Sequence, residues 1–429
     1  MIEPLAVVAG MVDMTPDAPC ALQGFSGRKG SFSAVADHLE LNAIRFSQGN
    51  RTVVIYSADV LYLDGDVVNE AETLVRQFLP GAKTHVMAAA SHTHFAPAID
   101  ASKPLLGARD PHYFEFFKMK LRELIGALGD RTTTSCSIAY RRGESNRTIN
   151  RRRRGWNFSR QTLLRREAII APNPSGYVDH AIRILEARDS AGAVLCVLWN
   201  FACHPSSFPL RDCVSADFPG VVRAAIRAQH ANPVLPVIFL QGFSGDTSPH
   251  MDGRPSRTMQ GRIFKLLNGL VFGDITSEEF HQWSGELAQQ VCQVVRQPPR
   301  TLHTRLHWSE ASIPLSELIE GIQSDRTLRL QRIALSDDVQ LIGLGAEVVA
   351  GYSPLVQTMI KPADFIPVGC VGDCYGYLPA ESMLAEGGYE VTGFFKPFSL
   401  TGRFRRSVQE KVMDALAQLI QPDGSHESQ

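Results

Sequence analysis

The chain has no surplus of charge in either direction. Its 429 residues hold 43 Lys and Arg against 44 Asp and Glu. A protein built around nucleic-acid binding needs a basic excess, so that class is excluded as the main function. No uninterrupted apolar run approaches membrane-spanning length, which argues against stable membrane insertion. The opening Met1-Ile2-Glu3-Pro4 has no basic stretch followed by an apolar core, so no export signal is expected. Cysteine is sparse. Cys20, Cys136, Cys196, Cys203, Cys213, Cys292, Cys370 and Cys374 are scattered, several of them in apolar runs. That is not a disulfide scaffold. Cys370-x-x-x-Cys374 also lacks the second pair that a zinc ribbon needs. Reduced, buried thiols in a cytoplasmic protein are the expectation. Neither an internal repeat nor a long linker stands out.

What the chain does have is apolar residue enough, 44%, to fill a large core without staples. β-Branched runs alternate with helix-like periods. Strands are expected over 52–60, 84–90, 194–201, 236–241, 302–308, 328–334 and 340–344. Helices are expected over 66–78, 113–128, 216–229, 279–296, 346–358 and 402–420. Two of these series read strand, helix, strand, which predicts parallel pairs with right-handed crossovers. The fold class that follows is α/β, with a mixed, largely parallel sheet flanked by helices. A single domain over 1–422 with a disordered tail at 423–429 is expected.

The stretch 141–174 holds ten arginines interleaved with Trp156 and Phe158. Such a mixture suits nucleic acid, a surface loop, or a loop over an active site whose arginine forks grip an anionic group. The balanced net charge favours a loop. The stretch 259–283, with Ile263-Phe264-Lys265-Leu266-Leu267, reads as a lid or as a packed surface helix, the latter slightly preferred.

Three motifs carry chemistry. Ser91-His92-Thr93-His94-Phe95-Ala96-Pro97 follows the apolar run Val86-Met87-Ala88-Ala89-Ala90. Histidine is the commonest metal ligand and the usual acid or base near neutral pH. Residues two apart on a strand share a face, so a strand persisting past Ser91 would aim both imidazoles at one space. The second motif, Phe201-Ala202-Cys203-His204-Pro205-Ser206, again sets a histidine at a strand end. The third, Gly245-Asp246-Thr247-Ser248-Pro249, breaks a strand into a turn. Each alone has an ordinary structural reading.

Together and in this order, the motifs resemble the neutral/alkaline ceramidase family, whose catalytic region carries His-Thr-His-x-x-Pro, Phe-x-x-His-Pro-[Ser/Thr] and Gly-Asp-x-Ser-Pro. Gly10-Met11-Val12-Asp13-Met14-Thr15-Pro16 also resembles the family's opening Gly-x-x-Asp-x-Thr-Pro. The likeness spans about residues 5–415, with 251–280 not clearly covered. It implies a zinc amidase, with His92, His204, Glu347 (in Gly345-Ala346-Glu347-Val348) and Tyr377 (in Cys374-Tyr375-Gly376-Tyr377-Leu378) as metal ligands. It further implies that His94 stabilises the transition state, that Tyr389 holds the substrate carbonyl, and that Arg151, ahead of Arg147, stands near the substrate. Asp246 is expected to orient a ligand histidine, and Ser248 to assist it. A serine-hydrolase role for Ser248 lacks the Gly-x-Ser-x-Gly elbow.

The chain also departs from the family. Ceramidases are longer, are exported or membrane-facing, and carry a C-terminal immunoglobulin-like domain; the match here is to the catalytic region. Arg151-Arg152-Arg153 stands where the family has Arg-Ser-Pro, and Leu378-Pro379-Ala380-Glu381-Ser382 replaces a Thr- and Glu-rich stretch. These changes touch substrate contacts more than metal contacts, so long-chain ceramide is not a secure substrate. The function expected is a zinc-dependent amidohydrolase cleaving a linear N-acyl amide by metal-hydroxide attack. Its partner is a small-molecule amide bearing an acyl chain or an anionic group. The alternatives are an ester or lactone hydrolase on the same site, and a binding protein that kept the fold without turnover.

Overall fold

A computed structural model describes residues 3–159, 162–251 and 259–420; the tail expected at 423–429 lies outside them. Three larger mixed sheets with flanking helices form the frame. The first unit runs strands Ala6–Asp13, Glu40–Gln48 and Arg51–Ala58, helix Gly65–Phe78, strand Lys83–Ala90, helix Pro111–Asp130. The second runs Ser137–Glu144, Ala181–Arg188 and Val194–Phe201, helix Asp217–Gln229, strand Val237–Gln241, helix Ser277–Arg296. The third runs Thr304–Pro314, Thr327–Ser336 and Val339–Leu344, helix Tyr352–Ile360, strand Asp364–Val368, helix Val408–Ile420. The order of elements is the same each time. An architectural repeat is therefore present where the residues display none, because a fold constrains apolar periodicity and turn positions rather than identities.

Within each sheet the first three strands are antiparallel and the fourth lies parallel to the third at an edge. The largely parallel sheet expected from the sequence does not form. Parallel pairs are the legible ones, since a helix between two apolar runs is a long signal. Antiparallel neighbours need only a short turn, such as Gly49-Asn50 between Gln48 and Arg51. Two short strands, Thr134–Ser135 and Arg300–Leu302, close the far edges of the first and second sheets on the way into the next unit.

One apolar core lies between the sheets and draws on all three, with Ile55 and Met87, Leu198 and Ile238, Leu341 and Ile366. Helices cover the outer faces: Phe117, Val356 and Leu416 share one cluster, and Phe218, Trp283 and Leu287 another. Stretch 141–174 is not a loop. It completes Ser137–Glu144 and then forms the hairpin Thr148–Ser159 with Thr162–Asn173. Charged side chains are poor strand formers, and here ion pairs make their burial tolerable. Arg141 meets Glu186 at 2.9 Å, and Arg151 and Arg152 meet Glu390 at 3.0 and 2.6 Å. The helix expected from 346 begins at Tyr352, because Glu347–Val348 pairs as a strand with Tyr377–Leu378. The one expected from 402 begins at Val408. None of the helices among the described residues is long and apolar enough to cross a membrane.

Candidate metal centre

The chemistry gathers at the carboxyl ends of the three parallel pairs, the usual place for a site in such sheets. Loops leaving the third strand of each unit bring Tyr62, His204 and Glu347. Loops leaving the fourth strand bring His92, Asp246 and Tyr377.

The strand Lys83–Ala90 stops before the histidines, so strand alternation is not what brings them together. His92 adopts a left-handed φ of 69°, while Ser91 and His92 donate to the carbonyls of Ala58 and Val60 at 2.8 and 3.0 Å. This turn sets the His92 and His94 rings 5.1 Å apart.

His92 Nδ1 lies 3.0 Å from the Leu61 carbonyl, and His204 Nδ1 lies 3.3 Å from that of Ser244. A carbonyl oxygen only accepts, so each ring keeps its proton on Nδ1 and leaves Nε2 bare. The two Nε2 atoms face each other at 3.1 Å. Glu347 Oε2 stands 3.3 and 3.6 Å from them and has no hydrogen-bond donor of its own. All three side chains are buried. Three electron-rich atoms converge in a dry space, and a shared cation resolves their repulsion. The residues present therefore fit a metal ion.

Burial alone would raise the Glu347 carboxyl. Hydrogen bonds from Tyr377 and Tyr62 oppose that rise. The Tyr62 hydroxyl donates to Glu347 Oε1. Tyr62 was not singled out from the sequence, because within Val60-Leu61-Tyr62-Leu63 it looks like core. Tyr377 is pushed well above the ordinary phenol range by burial and by Glu347, while Arg151 opposes the shift. Arg151 Nη2 lies 3.1 Å from the Tyr377 hydroxyl.

His94 is half-buried and completes a group of three imidazoles, with His92 and His204, whose ligand atoms lie within 4.8 Å of one another. This trio is a possible metal cluster in its own right. His94 Nδ1 sits 2.9 Å from the Gly24 carbonyl, which again leaves Nε2 bare and unpartnered. Burial, and then His92, push its pKa well below the ordinary value, so the ring is neutral. Gly24 has φ +127°, and a Cβ there would stand 2.7 Å from that of His94, so only glycine permits this approach.

Asp246 does not orient a ligand histidine. Its carboxylate accepts from Ala350 N at 2.7 Å and from Asn150 Nδ2 at 2.9 Å, and the rings are held by backbone carbonyls instead. Asp246 thereby ties the strand of Arg151 to the segment just after Glu347. Burial raises its pKa to about 6. Arg151 is itself anchored by Glu390 and by the Gly245 carbonyl at 2.7 Å. Glu390 is a second residue missed from sequence.

Two clefts adjoin the site. One of about 480 Å³ is lined by Arg151, Ser248, Ser207, Arg211 and Phe272. The other, about 300 Å³, is lined by Tyr389, Ile169 and Phe264; Ile170 borders both. The Tyr389 ring lies 5.5 Å from that of Tyr377, and burial, then Glu347, keep its hydroxyl protonated. Of the stretch 259–283, the part around Phe280 and Trp283 is packed core, while Phe264 and Phe272 line the clefts.

No protein-family model matches the chain, and no curated protein matches it in sequence. Solved structures do. The crystal structure of neutral ceramidase from Pseudomonas aeruginosa superposes with a TM-score of 0.74 over 97% of this chain and 74% of that one, at 14% identity. A ceramidase structure described as complexed with C2 gives 0.74, 97% and 75%, also at 14% identity. The chain shares the ceramidase fold across nearly its whole described length.

Proposed function

We propose that this chain is a zinc-dependent hydrolase of a linear N-acyl amide. The observation that carries the reading is the buried convergence of two bare Nε2 atoms on an unpartnered Glu347 oxygen. His92, His204 and Glu347 would hold the ion, with Tyr377 as a fourth ligand once its phenol ionises beside the cation and Arg151. Bound zinc supplies Lewis acidity that lowers the pKa of water to about 7.

The chain's own groups do the rest. His94, neutral and bare at Nε2, is set to take a proton and return it to the departing nitrogen. An amine is a poor leaving group until protonated, so a proton carrier beside the ion favours amide over ester. Tyr389, kept protonated, donates to the substrate carbonyl oxygen as negative charge gathers there. Arg151 steadies the Tyr377 oxygen. Asp246 fixes the strand that carries Arg151, and Ser248 offers a hydroxyl in the cleft beside it. The shared fold supports this reading at the level of architecture.

The test is elemental analysis together with a screen of N-acyl amides and matched esters, varied in chain length and head-group charge. About one zinc per chain is expected, with amides turned over. A metal-free preparation that keeps full activity would overturn the reading.

A further inference from the structure

The helix Met259–Asn268 wears its apolar stripe on the outside. Met259, Ile263, Leu266, Leu267, and Leu270 just beyond the helix, recur at helical spacing and share one face. A surface helix normally turns such a face to the core. Here Met259 is 71% exposed, Leu266 86% and Leu270 53%. The side that meets the protein is the other one. Phe264 enters the cleft beside Tyr389, and Asn268 exchanges hydrogen bonds with the backbone of Trp156 at 2.6 and 3.0 Å. Trp156 and Ile170, on the adjoining hairpin, are exposed as well. A contiguous apolar face of this kind marks an interaction site.

Cations stand on the helix and on the hairpin beside it. Arg262 and Lys265 stand on the helix, with Arg154, Arg165 and Arg166 on the hairpin, all exposed. None of them pairs with a carboxylate among the described residues. Arg166 lies 6.0 Å over the Trp156 ring, and Arg154 and Arg166 open onto a further cleft of about 570 Å³. The acids nearby are occupied: Glu167 accepts from Asn157 at 2.5 Å, and Glu386 pairs with Arg152 at 3.2 Å.

We propose that this face docks on an anionic lipid surface, the helix lying in the headgroup layer with its leucines toward the acyl chains. An apolar helical face flanked by unpaired cations is complementary to such a surface in both charge and polarity. Position favours lipid over a second copy of the chain. The helix reaches one cleft of the candidate site through Phe264, and the segment after it reaches the other through Phe272, so whatever covers the face must let substrate pass. A lipid surface holds acyl amides itself, whereas a bound protein would shut the clefts. This last point alone rests on the hydrolase reading.

Co-sedimentation with vesicles tests the proposal, using phosphatidylcholine alone or mixed with phosphatidylglycerol. The protein is expected to pellet with the anionic vesicles and to be released by high salt. Leu266→Asp with Leu270→Asp should weaken binding about tenfold or more per side chain. Arg262→Glu with Lys265→Glu should weaken it about fivefold per cation. Turnover of a soluble short-chain amide should be unchanged in both, because neither pair belongs to the metal centre. Failure to pellet with either vesicle, or equal binding by the variants, overturns the proposal. A dimer that Leu266→Asp splits in light scattering would do so too, and would give the face to a second copy. Sedimentation reads binding without turnover, so loss of the zinc reading and loss of this one are separate results.

Discussion

At the scale of single residues, the site depends on which nitrogen carries a proton. In the proposed reaction His94 would act through a neutral ring, since burial holds its pKa well below the ordinary 6.5. The active form is the unprotonated one, so His94 should add no inflection to kcat/KM through neutral pH, and an inflection near pH 7 from water that bound zinc would acidify should survive in His94→Ala. An inflection above pH 7 that disappears in His94→Ala would contradict this. His94→Ala should keep the metal and slow turnover on the order of a hundredfold or more, whereas His92→Ala should lose metal and turnover together. Tyr62→Phe removes the hydroxyl from Glu347 and should weaken metal affinity by about ten- to a hundredfold, read by chelator competition. Undiminished affinity would show that Glu347 needs no such support. The histidines were legible because three motifs stand in one order that resembles a known family, although each motif alone has an ordinary structural reading. Tyr62 was not, since an apolar run conceals the one polar atom that matters.

At the scale of elements, the loop after Gln241 works as a bolt. Asp246 joins the hairpin strand of Arg151 to the backbone at Ala350, in a different unit. Asp246→Ala leaves the buried Ala350 amide without its acceptor and Asn150 with the Tyr177 carbonyl alone, which should cost about 1–3 kcal/mol for each lost bond and lower the melting temperature. An unchanged melting temperature would mean that water takes over both bonds. In the first two units the crossover helices and parallel strands were readable from apolar periodicity, 194–201 to the residue, whereas the third unit's parallel strand Asp364–Val368 was not read. The antiparallel strands were mostly not. Ser137–Glu144 and Thr148–Ser159 are rich in arginine, and only their ion pairs with Glu186 and Glu390, distant in sequence, make them buried strands. No local pattern announces such partners.

At the scale of the whole molecule, three like units place their parallel edges around one centre, yet each contributes different donors. The first gives His92, the second His204, and the third Glu347 with Tyr377. The chain was therefore unreadable as a repeat: the frame recurs while the chemistry does not. A protein cut between helix Pro111–Asp130 and strand Ser137–Glu144, with the two pieces produced separately, should bind zinc tightly only after mixing. Tight, stoichiometric zinc in either piece alone would show that fewer units suffice. The same division governs the order in which the site is made. The proposed donors leave the ribosome far apart, at positions 92, 204, 347 and 377, so the first imidazole would wait for its acidic and phenolic partners while most of the polypeptide is still being synthesised. On the proposed ligand set, capture of the ion would be completed only at the close of biogenesis, and a chain stalled before its final third would have the three imidazoles alone with which to hold it.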